Sequence, residues 1–430
     1  MHPVQKPSAL TAWILAFAVA GCGRQLMPTP NLYMHSRDDA FDRVPAALRT
    51  NTVDVLYVTD RKIDGHNAAG PVYKYGRSHS LGFGSCVVEI GRGTTWSELV
   101  RASRSRSRRG LPLTVRQVRE TGRFPEVPYP LVESDSRLVE DPKILLQEKE
   151  ATAKLHQELH KRLAQTDWKD VVVYVHGFNN TFQESVFSSA ELWHFMGRQG
   201  VAICYTWPSG RALSTKGYNY DNVSSEFTVF HLKQLLRALG QCEAIGKVHI
   251  LGHSRGTAVV TEALCDLRIE HMHAEKSARE ALKLGNVVLA APDLDVDVVR
   301  QRLSGEQLAY LPEQFTVYTS PTDLALAAAN YLTLGVLRLG SLQPTTLDPE
   351  MKEIISREPM TFVAARVASD VFGHSYFTHS PAVASDLILV LRDGAKPGAA
   401  HGRPLKECEP NFREIRDDYL REREETEPRP

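Results

Sequence analysis

The sequence predicts an α/β fold: a mostly parallel central sheet with helices on both faces. Three observations carry this reading. Val171–Val175, Val201–Tyr205, Val248–Leu251, Asn286–Ala290 and Phe315–Tyr318 are short, nearly continuous apolar runs, as strands of a sheet buried on both faces require. Stretches with helical spacing alternate with them, for example Val223–Leu239 and Thr257–Leu267. Between the strand ending at Leu251 and the second of these helices lies Gly252-His253-Ser254-Arg255-Gly256. That order puts Ser254 in a strained turn with its hydroxyl above the sheet. The flanking glycines let strand and helix pass close beside it.

A chain of 430 residues, 42% hydrophobic and 24% charged, has an ordinary globular composition. It is long enough for one large α/β domain with extensions, or for two domains. Zero formal net charge gives no global sign of a nucleic-acid partner. The six cysteines contain no C-x-x-C pair, so neither a zinc nor a redox site is expected. Cys204 and Cys265 fall in an apolar strand and a helix and read as core residues. His271 and His273 lack supporting carboxylates or cysteines at helical spacing, so no metal and no cofactor are expected.

Residues 1–22 read as a lipoprotein-type signal peptide. Lys6 precedes an apolar stretch from Ala9 to Ala20, of export-signal rather than membrane-spanning length. Val19-Ala20-Gly21-Cys22 resembles the bacterial lipobox, which implies lipid modification of Cys22. An ordinary secretory signal or an uncleaved anchor is the other reading. With Gly23 and no aspartate after the cysteine, the lipobox implies outer-membrane sorting in a Gram-negative cell. Residues 23–50, with Pro28 and Pro30, then read as a tether.

The folded domain is expected over 51–395. Val53–Thr59 alternates as a strand, closed by Asp60-Arg61-Lys62, and Phe83–Ile90 follows as a second strand of an antiparallel edge. Residues 98–130 read as a solvated, mobile insertion, with Arg101, Arg104, Arg106, Arg108 and Arg109 among serines and Pro125, Pro128 and Pro130 further on. A nucleic-acid groove would interleave aromatics there. Contact with anionic lipid headgroups is the alternative. Glu148–Gln165 has helical spacing, with Ala153, Leu155, Leu159 and Leu163 facing the sheet. Residues 396–430 read as a charged, solvated tail.

The chemistry gathers at the carboxyl ends of the strands. Val171–Val175 runs into His176-Gly177-Phe178-Asn179-Asn180, and Thr181 with Glu184 forms a capping box for the next helix. A His-Gly loop can aim backbone N–H groups at a developing negative oxygen. The expected donors are the N–H groups of Phe178 and of Arg255, which follows the nucleophile. His176 reads as a brace of the loop. Trp207, Tyr218 and Tyr220 either line a pocket or pack at a strand end, and Asp221 reads as a helix N-cap.

Ser254 needs a neutral imidazole to take its proton, and the imidazole needs a carboxylate to fix its tautomer. His374, on the loop after the strand Phe362–Val367, is the expected base; His379 abuts the cap of the closing helix begun by Ser380-Pro381. Asp323 is the expected acid and Asp293 the alternative, since each follows a strand's carboxyl end. A capping role would explain either aspartate without catalysis.

Val-Tyr-Val-His-Gly-Phe-Asn-Asn-Thr, Thr-Trp-Pro-Ser, Leu-Gly-His-Ser-Arg-Gly, Leu-Ala-Ala-Pro-Asp, Tyr-Thr-Ser-Pro-Thr-Asp and Gly-His-Ser-Tyr together resemble a bacterial family known only as α/β-hydrolases of unknown function. The similarity spans roughly Val53 to Asp393 and implies the α/β-hydrolase fold and a hydrolase, with no substrate. In that family methionine usually follows the serine; here it is Arg255, which a backbone donor tolerates. The expectation is a serine hydrolase acting through an acyl-enzyme on a small-molecule or lipid-like ester, held at a membrane by a lipid anchor, with no nucleic-acid partner. A catalytically silent binding lipoprotein and an acyltransferase with the same three residues are the alternatives.

Overall fold

Val171, Val173 and Val175 face one hydrophobic cluster, whereas Val172 and Tyr174 face another. This period-two division of a continuous apolar run places a core on each side of the strand. A computed structural model describes residues 24–35, 38–107, 110–134, 136–332, 335–347 and 349–420. Its main sheet has eleven strands. In chain order they are β1 (Thr52–Asn67), β2 (Gly70–Ile90), β3 (Leu113–Arg123), β4 (Val171–Val175), β5 (Val201–Thr206), β6 (Val248–His253), β7 (Leu284–Ala290), β8 (Gln314–Thr319), β9 (Met360–Arg366), β10 (Lys406–Glu409) and β11 (Phe412–Arg416).

Across the sheet the order is β10-β11-β9-β8-β7-β6-β4-β5-β1-β2-β3. Every pairing from β1 through β5, β4, β6, β7, β8 and β9 to β11 is parallel. Only β1–β2, β2–β3 and β10–β11, towards the two edges, are antiparallel. The principal helices are α1 (Trp96–Ser103), α2 (Pro142–Leu163), α3 (Phe182–Phe195), α4 (Thr215–Gln241), α5 (Gly256–Glu270) and α6 (Pro381–Leu391). Helices α2, α4 and α5 pack on one face, and α1, α3 and α6 on the other. The fold is the predicted mostly parallel sheet covered on both sides.

Local signals act as expected at several ends. Thr181 and Glu184 form a reciprocal capping box on α3, and Ser380 caps α6 with Pro381 in its first turn. Helix α2 starts earlier than its spacing indicated, at Pro142 behind the N-cap Asp141, and buries Ala151 rather than Ala153 with Leu155, Leu159 and Leu163. Strict four-residue spacing keeps that stripe on one face.

Three peripheral expectations are corrected. The 98–130 stretch is not a solvated insertion: it supplies α1 and the edge strand β3. Thr95 and Glu98 box-cap α1, Leu99 is buried, and Arg101, Arg104 and Arg106 are exposed, with Arg104 paired to Asp42 at 2.8 Å. A charged edge strand also discourages pairing with other chains.

Nor is the described part of residues 23–50 a free tether. Leu26, Met27, Leu32, Tyr33 and Phe41 are buried, and Met27 N–H donates to Glu191 Oε1 at 2.7 Å. The 396–430 stretch is likewise no solvated tail as far as Leu420. Phe412 stacks on Phe362 with ring centroids 4.9 Å apart, and Arg403 makes a buried two-point ion pair with Asp386 at 2.9 and 2.8 Å. Phe412 and Ile415 enter the clusters on opposite faces of the sheet, while Arg413, Glu414 and Arg416 give the strand a polar composition that hides its burial.

Asp60-Arg61-Lys62 does not end β1; that strand continues to Asn67 as one arm of a long hairpin. Cys22 and residues 1–21 lie outside the described residues. Among the described residues, no helix is long and apolar enough to cross a membrane.

Candidate active site

Strand β6 delivers Ser254 into a turn where its φ is 51°, in the left-handed region that a residue with a Cβ enters at a cost. The turn is held from both sides. Ser254 N–H donates to Ala290 O at 2.9 Å, and Ser254 O accepts from Thr257 N–H at 3.1 Å and Thr257 Oγ1 at 2.6 Å. Neighbouring backbone crowds it: a Cβ on Gly177 would lie 2.6 Å from Ser254 Cβ, and one on Gly256 would lie 2.3 Å from His176 O. The small residues are therefore needed for the His-Gly loop and α5 to reach the serine.

His374 lies beside this turn. Its ring centroid is 5.0 Å from that of His253, and His253 Nε2 approaches His374 O at 3.4 Å. His374 Nδ1 lies 2.7 Å from Asp323 Oδ2, with the Asp323 side chain fully buried. Burial is the largest influence on the His374 pKa and lowers it. The Asp323 charge and hydrogen bond, helped by Asp370 and Asp293, outweigh it, so the net shift is upward from 6.5. His253 goes the other way: burial first, then the charge of His374, push it well below 6.5.

The loops that carry the pair are tied together. Leu324 N–H donates to Phe372 O at 2.8 Å, and Asp370 Oδ1 accepts the N–H groups of His374 and Ser375, both at 2.9 Å. Asp323 also caps its own helix through Leu326 N–H at 2.9 Å. Capping and pairing with His374 thus use different oxygens of one carboxylate. His379 instead places Nδ1 3.0 Å from Ser375 O.

Of the expected oxyanion donors, Phe178 follows Gly177, which packs against Ser254, and Arg255 follows the serine itself; among the described residues neither backbone N–H donates to a protein acceptor. His176 is a brace. Its ring stacks on Trp207 at 5.1 Å, Nε2 lies 3.2 Å from Arg61 Nη2, and Nδ1 lies 3.0 Å from Gly177 O. Burial and then the Arg61 charge depress its pKa well below 6.5, leaving a neutral ring that accepts from Arg61 and donates to Gly177. Trp207 is core packing, with Nε1 donating to His176 O at 2.7 Å.

Two residues of this framework carry no sequence signal for the role. Arg61 is buried and donates to Ser209 O at 2.8 Å and Asn180 O at 2.9 Å. Burial lowers its pKa to about 10. Asp221 is not the N-cap of its helix, a position held by Ser214. From within α4 it reaches the His-Gly loop and accepts from Asn179 N–H at 2.9 Å and Gly210 N–H at 3.2 Å. Burial pushes its pKa up to about 6.

Asp293, the alternative acid, is turned to other partners. Tyr218 donates to its Oδ2 at 3.2 Å, Arg338 Nε lies 3.4 Å from Oδ1, and Arg255 Nη1 lies 4.0 Å from Oδ2. The neighbouring helix is capped by Asp295, through Asp297 N–H at 2.8 Å. Tyr218 sets its ring edge-on to Phe178, 5.4 Å between centroids. The structure therefore brings Asp323, not Asp293, to His374.

A strand-turn-helix serine on a mostly parallel sheet, with a buried Asp–His pair on the same rim, defines an α/β hydrolase. The chain belongs to the family described as alpha/beta hydrolase of unknown function (DUF900), whose model matches residues 151–392. Similar solved structures include a lipase-esterase related protein from Clostridium acetobutylicum, 12% identical, covering 49% of this chain and 80% of that one, with a TM-score of 0.22. A serine hydrolase from the polyaromatic-hydrocarbon-degrading bacterium Cycloclasticus zankles is 13% identical over 59% of this chain and 83% of its own, also with a TM-score of 0.22. No curated protein matches in sequence.

Proposed function

We propose that this hydrolase cleaves a carboxylic ester or a related acyl bond through an acyl-enzyme on Ser254. His374 takes the Ser254 proton as Oγ attacks the acyl carbon, then gives it to the leaving alkoxide. Asp323 accepts the Nδ1 proton's hydrogen bond, fixing the tautomer and stabilising the imidazolium. The N–H groups of Phe178 and Arg255 receive the oxyanion. Water, activated by the same imidazole, releases the acid and restores the serine. The observation that carries this reading is the 2.7 Å Asp323–His374 contact beside a serine held at φ 51°.

A fluorophosphonate probe is expected to label the folded protein on Ser254, located by peptide mass spectrometry, and Ser254→Ala is expected to remain unlabelled. Failure to label folded wild-type protein would overturn the proposal. Product analysis with an added alcohol separates hydrolysis from acyl transfer.

The protein is also proposed to be an exported lipoprotein anchored through Cys22, in the outer membrane of a Gram-negative cell. Its lipobox-like Val19-Ala20-Gly21-Cys22 supports this. Metabolic labelling with palmitate should mark wild type and spare Cys22→Ser; equal labelling of both would refute it.

A further inference from the structure

Beside Ser254 two guanidiniums share a single carboxylate, that of Asp293. Arg255 follows the nucleophile directly, and Asp293 is tied to it through its N–H, which donates to Ser254 O at 3.3 Å. Around the Asp293 carboxylate stand two guanidiniums, Arg338 at 3.4 Å and Arg255 at 4.0 Å. The side chains of Arg338 and Asp293 are 7% and 3% exposed and lie out of bulk water, with Arg255, 18% exposed, at the margin. Among the described residues, neither arginine pairs with a second carboxylate.

Hydrogen bonding within the cluster is also incomplete. Arg338 Nε and Asp293 Oδ1 face each other, yet both are enclosed atoms without a hydrogen-bond partner. Asp293 Oδ2 is engaged by Tyr218, and Arg255 Nε donates to Ser225 Oγ at 3.2 Å. A buried charge without a countercharge is costly, and two guanidiniums sharing one carboxylate leave one of them without a paired carboxylate of its own. A structural ion pair needs only one of them. Enzymes keep such groups where a ligand supplies the missing partner, and a planar guanidinium suits a carboxylate in particular.

We infer that Arg338 and Arg255, bracketing Asp293 beside Ser254, form a subsite for a carboxylate on the substrate. The preferred substrates are then esters bearing a free carboxylate, such as half-esters of dicarboxylic acids. Asp293 positions the two arginines, and Tyr218, edge-on to Phe178, holds Asp293 by a hydrogen bond. This inference rests on Ser254 being the nucleophile.

The test uses matched fluorophosphonates that differ in one group, a terminal carboxylate or its methyl ester. One pair carries it on the phosphorus-bound alkyl chain and a second pair on the alkoxy group. Wild-type protein is expected to react with the carboxylate form of one pair about tenfold faster. Arg338→Met is expected to bring that ratio near one, and Arg338→Lys, which keeps a cation, to retain part of it. The wild-type ratio decides even where a variant fails to fold. Equal rates within both pairs, or faster reaction of the methyl esters, overturn the carboxylate subsite and leave the hydrolase reading standing. No labelling by any of the probes overturns the nucleophile and the subsite with it.

Discussion

Asp323→Asn separates the two duties of Asp323. Asparagine can still accept the Leu326 N–H that Asp323 now accepts at 2.9 Å, so the helix cap survives. What changes is the partner of His374 Nδ1 at 2.7 Å. A hydrogen bond to a charged group is worth about 1.5–3 kcal/mol, which at 1.36 kcal/mol per decade is about 10- to 150-fold in rate. The amide adds a second effect, because its NH₂ can donate to Nδ1 and leave the proton on Nε2, the nitrogen that must act as base. Trapping the wrong tautomer carries the loss towards 10⁴-fold.

The assay is the second-order rate of Ser254 labelling by a neutral fluorophosphonate, with thermal unfolding measured alongside. Asp323→Asn should fall by two to four decades, as estimated from these two effects, with an unfolding midpoint close to wild type. Asp293→Asn, which leaves the Asp323 partner of Nδ1 in place, should fall by less than about tenfold. Near-wild-type labelling in Asp323→Asn, with a large loss in Asp293→Asn, would refute the assignment of Asp323 and move the acid to the strand before it.

Two further outcomes follow from the same contacts. The labelling rate should decline on acidification with a midpoint above 6.5, because His374 must be neutral to accept a proton and Asp323 raises its pKa. Removing that charge in Asp323→Asn should move the midpoint down, and a midpoint that stays put would count against His374. The stability sign is opposite: the raised pKa contributes stability below the unfolded value near 6.5, which is lost as pH rises through the folded value. Phe412→Ala should cost about 3–5 kcal/mol in urea unfolding, the usual range for a buried phenylalanine. It removes a 3%-exposed ring stacked on Phe362. A cost below about 0.5 kcal/mol would restore the picture of a dispensable tail.

The central sheet was legible because its strands are buried on both faces. Val171–Val175 has no choice of polar side, so its apolar run ends where the strand ends. The serine turn was legible for a related reason: the approach of Gly177 to Ser254 and of Gly256 to His176 O leaves no room for a Cβ. Periphery reads poorly in sequence because half-buried strands look polar. Leu113 and Val118 on β3, and Phe412 and Ile415 on β11, are buried residues scattered among charges. Nothing local distinguishes them from a solvated segment until a neighbouring strand is present.

By itself the sequence determined the α/β class, the positions of the core strands, and Ser254, Asp323 and His374 as residues to examine, because these depend on local periodicity and turn chemistry. Which aspartate meets His374 depended on the path of two loops separated by 51 residues. Tertiary structure alone decided that, joining Leu324 to Phe372 and turning Asp293 towards Arg338 and Tyr218. It also decided that Arg61 and Asp221 brace the His-Gly loop. Charge partners are chosen by proximity in space, and no pattern along the chain encodes that proximity.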